Sequence, residues 1–456
     1  MANEFKEQGG VATMDPSGFR RWLSSRVVRS VVSPKRLASV ESKAERARSQ
    51  SGSSHQIEYF HQVDDAYSHL AAQTLRQLAS RYQVEVVVHL VEGPSGSNLP
   101  EPELLLPLAR YDAALVAPHY GLQFPANAVA PDGDNCALAQ RILTYVAGTG
   151  FAEAAIAVGQ ALFTGDGDAL QQIAAQAGMA SADEATARVR AGTERRAKLK
   201  HYSGAMFYYG GVWYWGVDRL YHLEQRLSEL GLSAQPSVPL LFPRPAIDSG
   251  SYRANGSLTL EFYASLRSPY TAVIFDEAVE LAERSGVRLA LKPVLPMVMR
   301  GVSLSRNKGL YIFRDATREA RALGQTFGNF YDPIGAPARR CYALYPWAER
   351  QGKHVALMSA FMKAAFREGI NTNSERGFRS VVEAAGLSWE EALREQESDE
   401  WQQLLEQNRQ AMYEFGSWGV PTFRLLDSEG NQVIWAWGQD RLWLFAREIQ
   451  RLLVQA

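Results

Sequence analysis

Hydrophobic and polar positions along the chain alternate between a period of two and a period near 3.6, and the order of these periods recurs. From Leu258 to Ala264 a short apolar run reads as a strand. From Pro269 to Arg284 the apolar residues Val273, Ile274, Ala278, Leu281 and Ala282 share one broad face, which predicts a helix, and Val287 to Leu291 reads as a second strand. Strand, helix and strand in so short a stretch imply a right-handed βαβ unit with parallel strands. Helical patterning then dominates, in "LYIFRDATREARALG", "HVALMSAFMKAAFREG" and "ERGFRSVVEAAG". After it, "VPTFRLLDSEGNQVIWAW" predicts two strands joined by a turn at Ser428 to Asn431, and a last helix starts near Asp440.

The same order occurs earlier in the chain. "IEYFHQVDDAYSHLAAQTLRQLASRYQVEVVVHLV" from Ile57 aligns without a gap to "LEFYASLRSPYTAVIFDEAVELAERSGVRLALKPV" from Leu260, 203 residues further on. In this register Glu58 meets Glu261, Tyr67 meets Tyr270, Asp112 meets Asp315, and Phe163 meets Phe366. Near the ends, "YWGVDRLYHLEQRL" from Tyr214 echoes "AWGQDRLWLFAREI" from Ala436. A run of landmarks in constant register points to a duplicated domain. Gly231 to Gly256, rich in Pro, Ser and Gly, reads as the connection between the copies. The expected division is therefore an extension at 1–54, a first domain at 55–230, a linker at 231–256 and a second domain at 257–456.

Composition narrows the classes. The net charge of -1 over 456 residues argues against a nucleic-acid binder that works by neutralising phosphates. No apolar run approaches the roughly 20 residues that span a bilayer, and no secretory leader is recognisable, so the expected location is cytoplasmic. The two cysteines, Cys136 and Cys341, make neither a disulfide framework nor a metal-ligand set, and no metal site is expected. The extension differs from the rest: it is rich in Arg and Ser, and Phe19, Trp22, Leu23, Val27, Val28, Val31 and Val32 recur at roughly helical spacing. A short basic amphipathic helix is predicted there, either packed on its own protein or serving as an arm for a membrane surface or partner.

The candidate chemistry lies at the junction Ser268-Pro269-Tyr270. Ser268 suits the N-cap of the following helix and Pro269 its first position, so capping alone would explain both. The same helix end also favours an anion, and a serine hydroxyl can donate to a thiolate brought in by a cofactor, lowering the thiol pKa. Gly419-Val420-Pro421-Thr422 opens the third strand, where Val420–Pro421 is a candidate cis peptide whose preceding residue offers main-chain groups to a peptide-like ligand. Gly438-Gln439-Asp440-Arg441 starts the final helix. There the Gln439 side chain, or the main-chain N–H groups, would bind a carboxylate and Asp440 an ammonium group.

Taken together, Ser268-Pro269-Tyr270, the spacing Lys308, Tyr311, Asp315, the Gly419-Val420-Pro421-Thr422 segment and Gly438-Gln439-Asp440-Arg441-Leu442 resemble the DsbA-like family of 2-hydroxychromene-2-carboxylate isomerases and kappa-class glutathione transferases. The resemblance covers Ser257 to Leu453 and implies an α/β chain of two tandem thioredoxin-like domains of DsbA type, each with an inserted helical domain. It implies glutathione as cofactor, with Ser268 at its sulfur as the catalytic residue. Pro269, Lys308, Val420, Pro421, Gln439 and Asp440 would bind it, Lys308 at a carboxylate and Gln439 with Asp440 at the γ-glutamyl end. The stretch "MVMRGVSLSRNKGLYIFRD" departs from the family's pattern on the substrate side. In the first copy Asp65 stands for Ser268, Ala66 for Pro269, and Ala205 for the strand proline. An aspartate would repel a thiolate, so that copy is expected to be degenerate. The implied activity is isomerisation or transfer on a small apolar or aromatic electrophile. Two alternatives stay open: a thiol-disulfide oxidoreductase, which would need a cysteine where Ser268 stands, and a non-catalytic scaffold. Oligomers, and a pseudo-dimer of the two repeats, are compatible with all three.

Overall fold

The computed structural model describes residues 15–146, 148, 150–302 and 304–455. By its contacts the chain divides into two units: Leu37–Arg244, and Pro245–Ala456 together with the residues up to Arg36.

In the amino-terminal unit, β1 (Gln56–His61) pairs parallel with β2 (Glu85–Leu90), while β3 (Met206–Tyr209) runs antiparallel to β1 and β4 (Val212–Trp215) antiparallel to β3. In the carboxy-terminal unit, β5 (Thr259–Ala264), β6 (Arg288–Pro293), β7 (Thr422–Leu426) and β8 (Gln432–Trp437) repeat this arrangement. The strand orders, β2-β1-β3-β4 and β6-β5-β7-β8, are equivalent. In both units a helical segment is inserted between the second and third strands. The elements predicted by periodicity in the second copy all form, with ends displaced by a residue or two as fraying terminal hydrogen bonds allow.

The sheets are held by equivalent contacts. Phe262 on β5 stacks on Phe423 of β7 with centroids 4.7 Å apart, and Tyr59 on β1 meets Phe207 of β3 at 4.9 Å. Tyr270 donates to Asp315 Oδ2 at 2.8 Å, and in the other unit Tyr67 donates to Asp112 Oδ2 at 2.9 Å. Both bonds tie the helix after the first strand to the first helix of the insertion.

Two features depart from the expected layout. Helix Pro269–Ser285 is continuous, but its counterpart breaks into Ala66–Ala72 and Leu75–Arg81. The buried Thr74 hydroxyl bonds back to the Ala71 carbonyl at 2.7 Å, at the place where the helix is interrupted. Nor do residues 15–54 form one appendage. Helix Gly18–Val32 belongs to the carboxy-terminal unit, and the unit boundary falls inside the next helix, Pro34–Ser51. The expected linker is also divided: Arg81 donates to the Val238 and Pro239 carbonyls and Glu224 accepts from the N–H groups of Leu241 and Phe242, whereas Ala254 and Gly256 bond to Ser285 and Gly286.

Candidate active site of the carboxy-terminal unit

Ser268 caps helix Pro269–Ser285. Its Oγ accepts from the Thr271 N–H at 3.1 Å, and Pro269 occupies the first turn, where a missing N–H leaves no bond unmade. The same hydroxyl donates to the Val420 carbonyl at 3.3 Å, and the Val420–Pro421 peptide is cis. Pro421 in turn accepts from the Gly438 N–H at 2.9 Å, linking the β7 entrance to the start of the last helical segment. Ser268, Pro269, Val420, Pro421 and the Gly438–Asp440 segment are thus joined by a short chain of hydrogen bonds. Gly419 lies under the Trp437 indole: a Cβ there would stand 2.6 Å from Nε1, so only glycine lets that half-buried ring cover the strand entrance. Trp418 and Trp435 are buried.

The loop that presents Ser268 is pinned on both sides. Tyr342 accepts from the Leu266 N–H and donates to the Val294 carbonyl, each at 3.0 Å. Arg267 makes a two-pronged pair with Asp332, Nε to Oδ1 at 2.9 Å and Nη2 to Oδ2 at 3.1 Å. Buried Arg300 donates to the carbonyls of Leu295 and Trp418, the latter two residues before Val420. Residue spacing could not reveal these anchors, because Arg267 and Asp332, like Arg300 and Trp418, are far apart in the chain. The register match of Tyr67 and Asp112 with Tyr270 and Asp315 was a usable signal for one contact.

The remaining candidates are placed less uniformly. Lys308, in the first turn of helix Arg306–Ala322, is about two turns, or roughly 10 Å, before Asp315 on that helix. Burial pushes its ammonium down to about 8. Gln439 is buried, and its Nε2 donates to Glu319 Oε2 at 2.9 Å. Its side chain is therefore turned into the protein, away from the carboxylate-binding role expected of it; the pull of a buried carboxylate accounts for the difference. Asp440 remains partly exposed, with Oδ1 3.4 Å from Arg441. At the positions matching Glu319 and Gln439 the first copy has Val116 and Val217, both buried, so the polar pair is replaced by an apolar one.

The equivalent place in the amino-terminal unit is closed by its own groups. Asp65 Oδ2 accepts from the Ser68 N–H at 2.9 Å and from the Ser68 hydroxyl at 2.7 Å. Ser68 Oγ also accepts from the N–H groups of Ala205, at 2.8 Å, and Gln62, at 3.2 Å. Burial pushes the Asp65 carboxyl up to about 6, against the opposing effect of its Ser68 bonds. Ala205 sits at φ 53°, in the left-handed region, where the other unit has its proline. A Cβ on Gly204 would stand 2.7 Å from the Gln62 Cβ, which shows how tightly this corner is filled.

Residues 259–450 match the family model of the DSBA-like thioredoxin domain. No curated protein matches the chain. Among solved structures, the chain is similar to a 2-hydroxychromene-2-carboxylate isomerase, with 21% identity, 43% of this chain and 97% of that one covered, and a TM-score of 0.37. It is also similar to the cytosolic disulfide reductase DsbM from Pseudomonas aeruginosa, with 17% identity, 42% and 99% covered, and a TM-score of 0.34. The stretch matched by the DSBA-like thioredoxin model contains β5 to β8, with Ser268 at the start of the helix that follows β5.

Proposed function

We propose that the carboxy-terminal unit binds glutathione and uses it to isomerise, or to transfer it to, a small apolar or aromatic electrophile. The observation that carries this reading is the Ser268 hydroxyl: it is fixed at a helix N-terminus by accepting from Thr271, and among the described residues its single proton goes to a long bond with the Val420 carbonyl. That proton has a second acceptor available whenever an anion arrives at the helix end, where the helix dipole favours negative charge. The residues fit the tripeptide in part. Ser268 would face its sulfur, Val420 its main chain, Lys308 a carboxylate, and Asp440 the γ-glutamyl amine, with Pro269 and Pro421 shaping the two walls. The Gln439 side chain is engaged by Glu319, so at that end the main-chain N–H groups take its place.

When bound, glutathione supplies a thiolate nucleophile for an electrophilic carbon. The chain's own part is to keep that sulfur ionised: the Ser268 O–H donates to the negative form and the helix end adds its positive pole, both lowering the thiol pKa. Trp437, over Gly419, offers an apolar wall beside the site.

The equivalent strand orders and the paired Tyr–Asp bonds support descent of the two units from one duplicated domain. In this reading the amino-terminal unit has lost its ligand and serves packing. A thiol-disulfide exchange activity is disfavoured by the thiols themselves: Cys341 is buried, which pushes its thiol well up, and Cys136 belongs to the other unit, where burial raises it to about 12. A cytoplasmic location suits a protein that depends on reduced glutathione. The test is retention on immobilised glutathione followed by titration of the bound thiol. Retention with a depressed thiol pKa, lost in Ser268→Ala, supports the proposal; absence of retention favours the scaffold reading over it.

A further inference from the structure

Along its first turns, helix Gly18–Val32 sets polar side chains against the protein and apolar ones toward solvent, while Val28 and Val32 at its far end pack on the hydrophobic core. On the docked face Arg21, only 1% exposed, donates to the carbonyls of Asp332 at 2.7 Å and Ile334 at 2.5 Å. Ser25 accepts from the Asp332 N–H at 2.9 Å, Arg29 donates to the Phe330 carbonyl at 2.8 Å, and Arg321 donates to the Val32 carbonyl at 2.9 Å. On the opposite face Phe19, Trp22, Leu23 and Val27 are 69%, 44%, 45% and 46% exposed. These four lie at i, i+3, i+4 and i+8 and form one stripe, with Phe19 stacked on Trp22 at 6.0 Å. A helix that packs for stability buries its apolar side; this one is held by buried hydrogen bonds along its first turns and by Val28 and Val32 at its far end, an arrangement that leaves the stripe of Phe19, Trp22, Leu23 and Val27 outward.

The charge around the stripe says what would cover it. From Pro16 to Arg36 the chain carries six basic residues and no acidic one. Arg20 and Arg26 flank the stripe, are exposed, and make no ion pair among the described residues; Arg26 rests over the Trp22 ring at 5.6 Å. Lys35 and Arg36 follow, also exposed. Aromatic and aliphatic side chains flanked by unneutralised arginines match an anionic lipid surface, whose headgroups meet the guanidinium groups while the rings enter the acyl boundary. No helix among the described residues is long and apolar enough to cross a membrane, so contact would be in the plane of the interface. We infer that helix Gly18–Val32 docks this protein on anionic membrane surfaces through Phe19, Trp22, Leu23 and Val27, with Arg20 and Arg26 supplying the electrostatic attraction.

The test is co-sedimentation of the full chain with vesicles. Vesicles of phosphatidylcholine and phosphatidylserine in equal parts should bind it at least about tenfold more strongly than phosphatidylcholine alone, and high salt should release it. Trp22→Ser with Leu23→Ser, and separately Arg20→Gln with Arg26→Gln, should each lower binding about tenfold with circular dichroism unchanged, since none of these side chains is buried. Equal binding to both vesicle types, or variants that bind as the parent does, would overturn the inference. So would self-association abolished by the Trp22 and Leu23 changes without vesicle binding, which would assign the face to a second copy of the chain.

Discussion

Ser268 and Asp65 stand at the same point of two sheets with the same strand order, and each caps the helix that follows. What differs is where the hydrogen bonds go. Around Asp65 the donors have internal acceptors: the Ser68 hydroxyl donates to the carboxylate, and the N–H groups of Ala205 and Gln62 donate to Ser68. Around Ser268 the position of Ser68 is taken by Thr271 and that of Ala205 by a proline without an N–H, so the cap hydroxyl reaches the Val420 carbonyl instead. A fold can therefore keep its scaffold while a site is sealed, because capping needs only an acceptor whereas binding a ligand needs a donor with somewhere else to turn. The loops differ too. Arg267 is locked to Asp332, while its counterpart Asp64 accepts, among the described residues, from the nearby Gln62 side chain at 3.0 Å.

The comparison can be broken most forcefully at that lock. Asp332→Ala leaves the largely buried Arg267 without its partner and should lower the stability of the carboxy-terminal unit by about 3–5 kcal/mol, read from denaturant unfolding. A loss below about 1 kcal/mol would mean that the pair does not hold the Ser268 loop.

In the proposed glutathione complex, Ser268→Ala would remove one hydrogen bond to a charged sulfur, worth about 1.5–3 kcal/mol, and so should raise the bound thiol's pKa by about one to two. The cap itself accounts for about 0.5–2 kcal/mol of stability. Ultraviolet titration of the thiolate separates the two effects, and an unchanged thiol pKa would confine Ser268 to capping.

A smaller effect is expected at Lys308. With its ammonium pushed down to about 8, glutathione affinity should decline as pH rises through that value, because the neutral amine no longer attracts a carboxylate. Lys308→Met should bind several-fold more weakly at pH 7 and show no such decline in calorimetric titrations. If both proteins follow the same pH curve, Lys308 does not hold the carboxylate.

The smallest change is expected at Asp65. A carboxyl whose folded-state pKa lies near 6, above its ordinary 3.8, binds a proton more readily folded than unfolded between those values, so its contribution to stability falls as pH rises from about 4 to 6. Asp65→Asn keeps a capping oxygen and should flatten that part of the Tm-against-pH profile with little change at pH 4. Asp65→Ser should create no second glutathione site, since Ser68 still engages Ala205; stoichiometric binding of a second tripeptide would show that the closure is not what silences this unit.

Hydrophobic periodicity determined the elements of the carboxy-terminal unit, and the constant 203-residue register determined that a second copy of its sheet would exist. Both are local or repeating signals, written in which face of each element must be buried, and for the same reason Ser268 and Pro269 could be placed at a helix start from their residue types alone. Only the tertiary structure decided which donors are spent. It turned Gln439 toward Glu319, set Asp332 against Arg267, split the amino-terminal extension between two units, and faced Phe19 and Trp22 outward while burying Arg21. Each of these depends on a partner dozens to hundreds of residues away, and a hydrogen bond is satisfied by whatever group the fold brings within reach, which no spacing along the chain records.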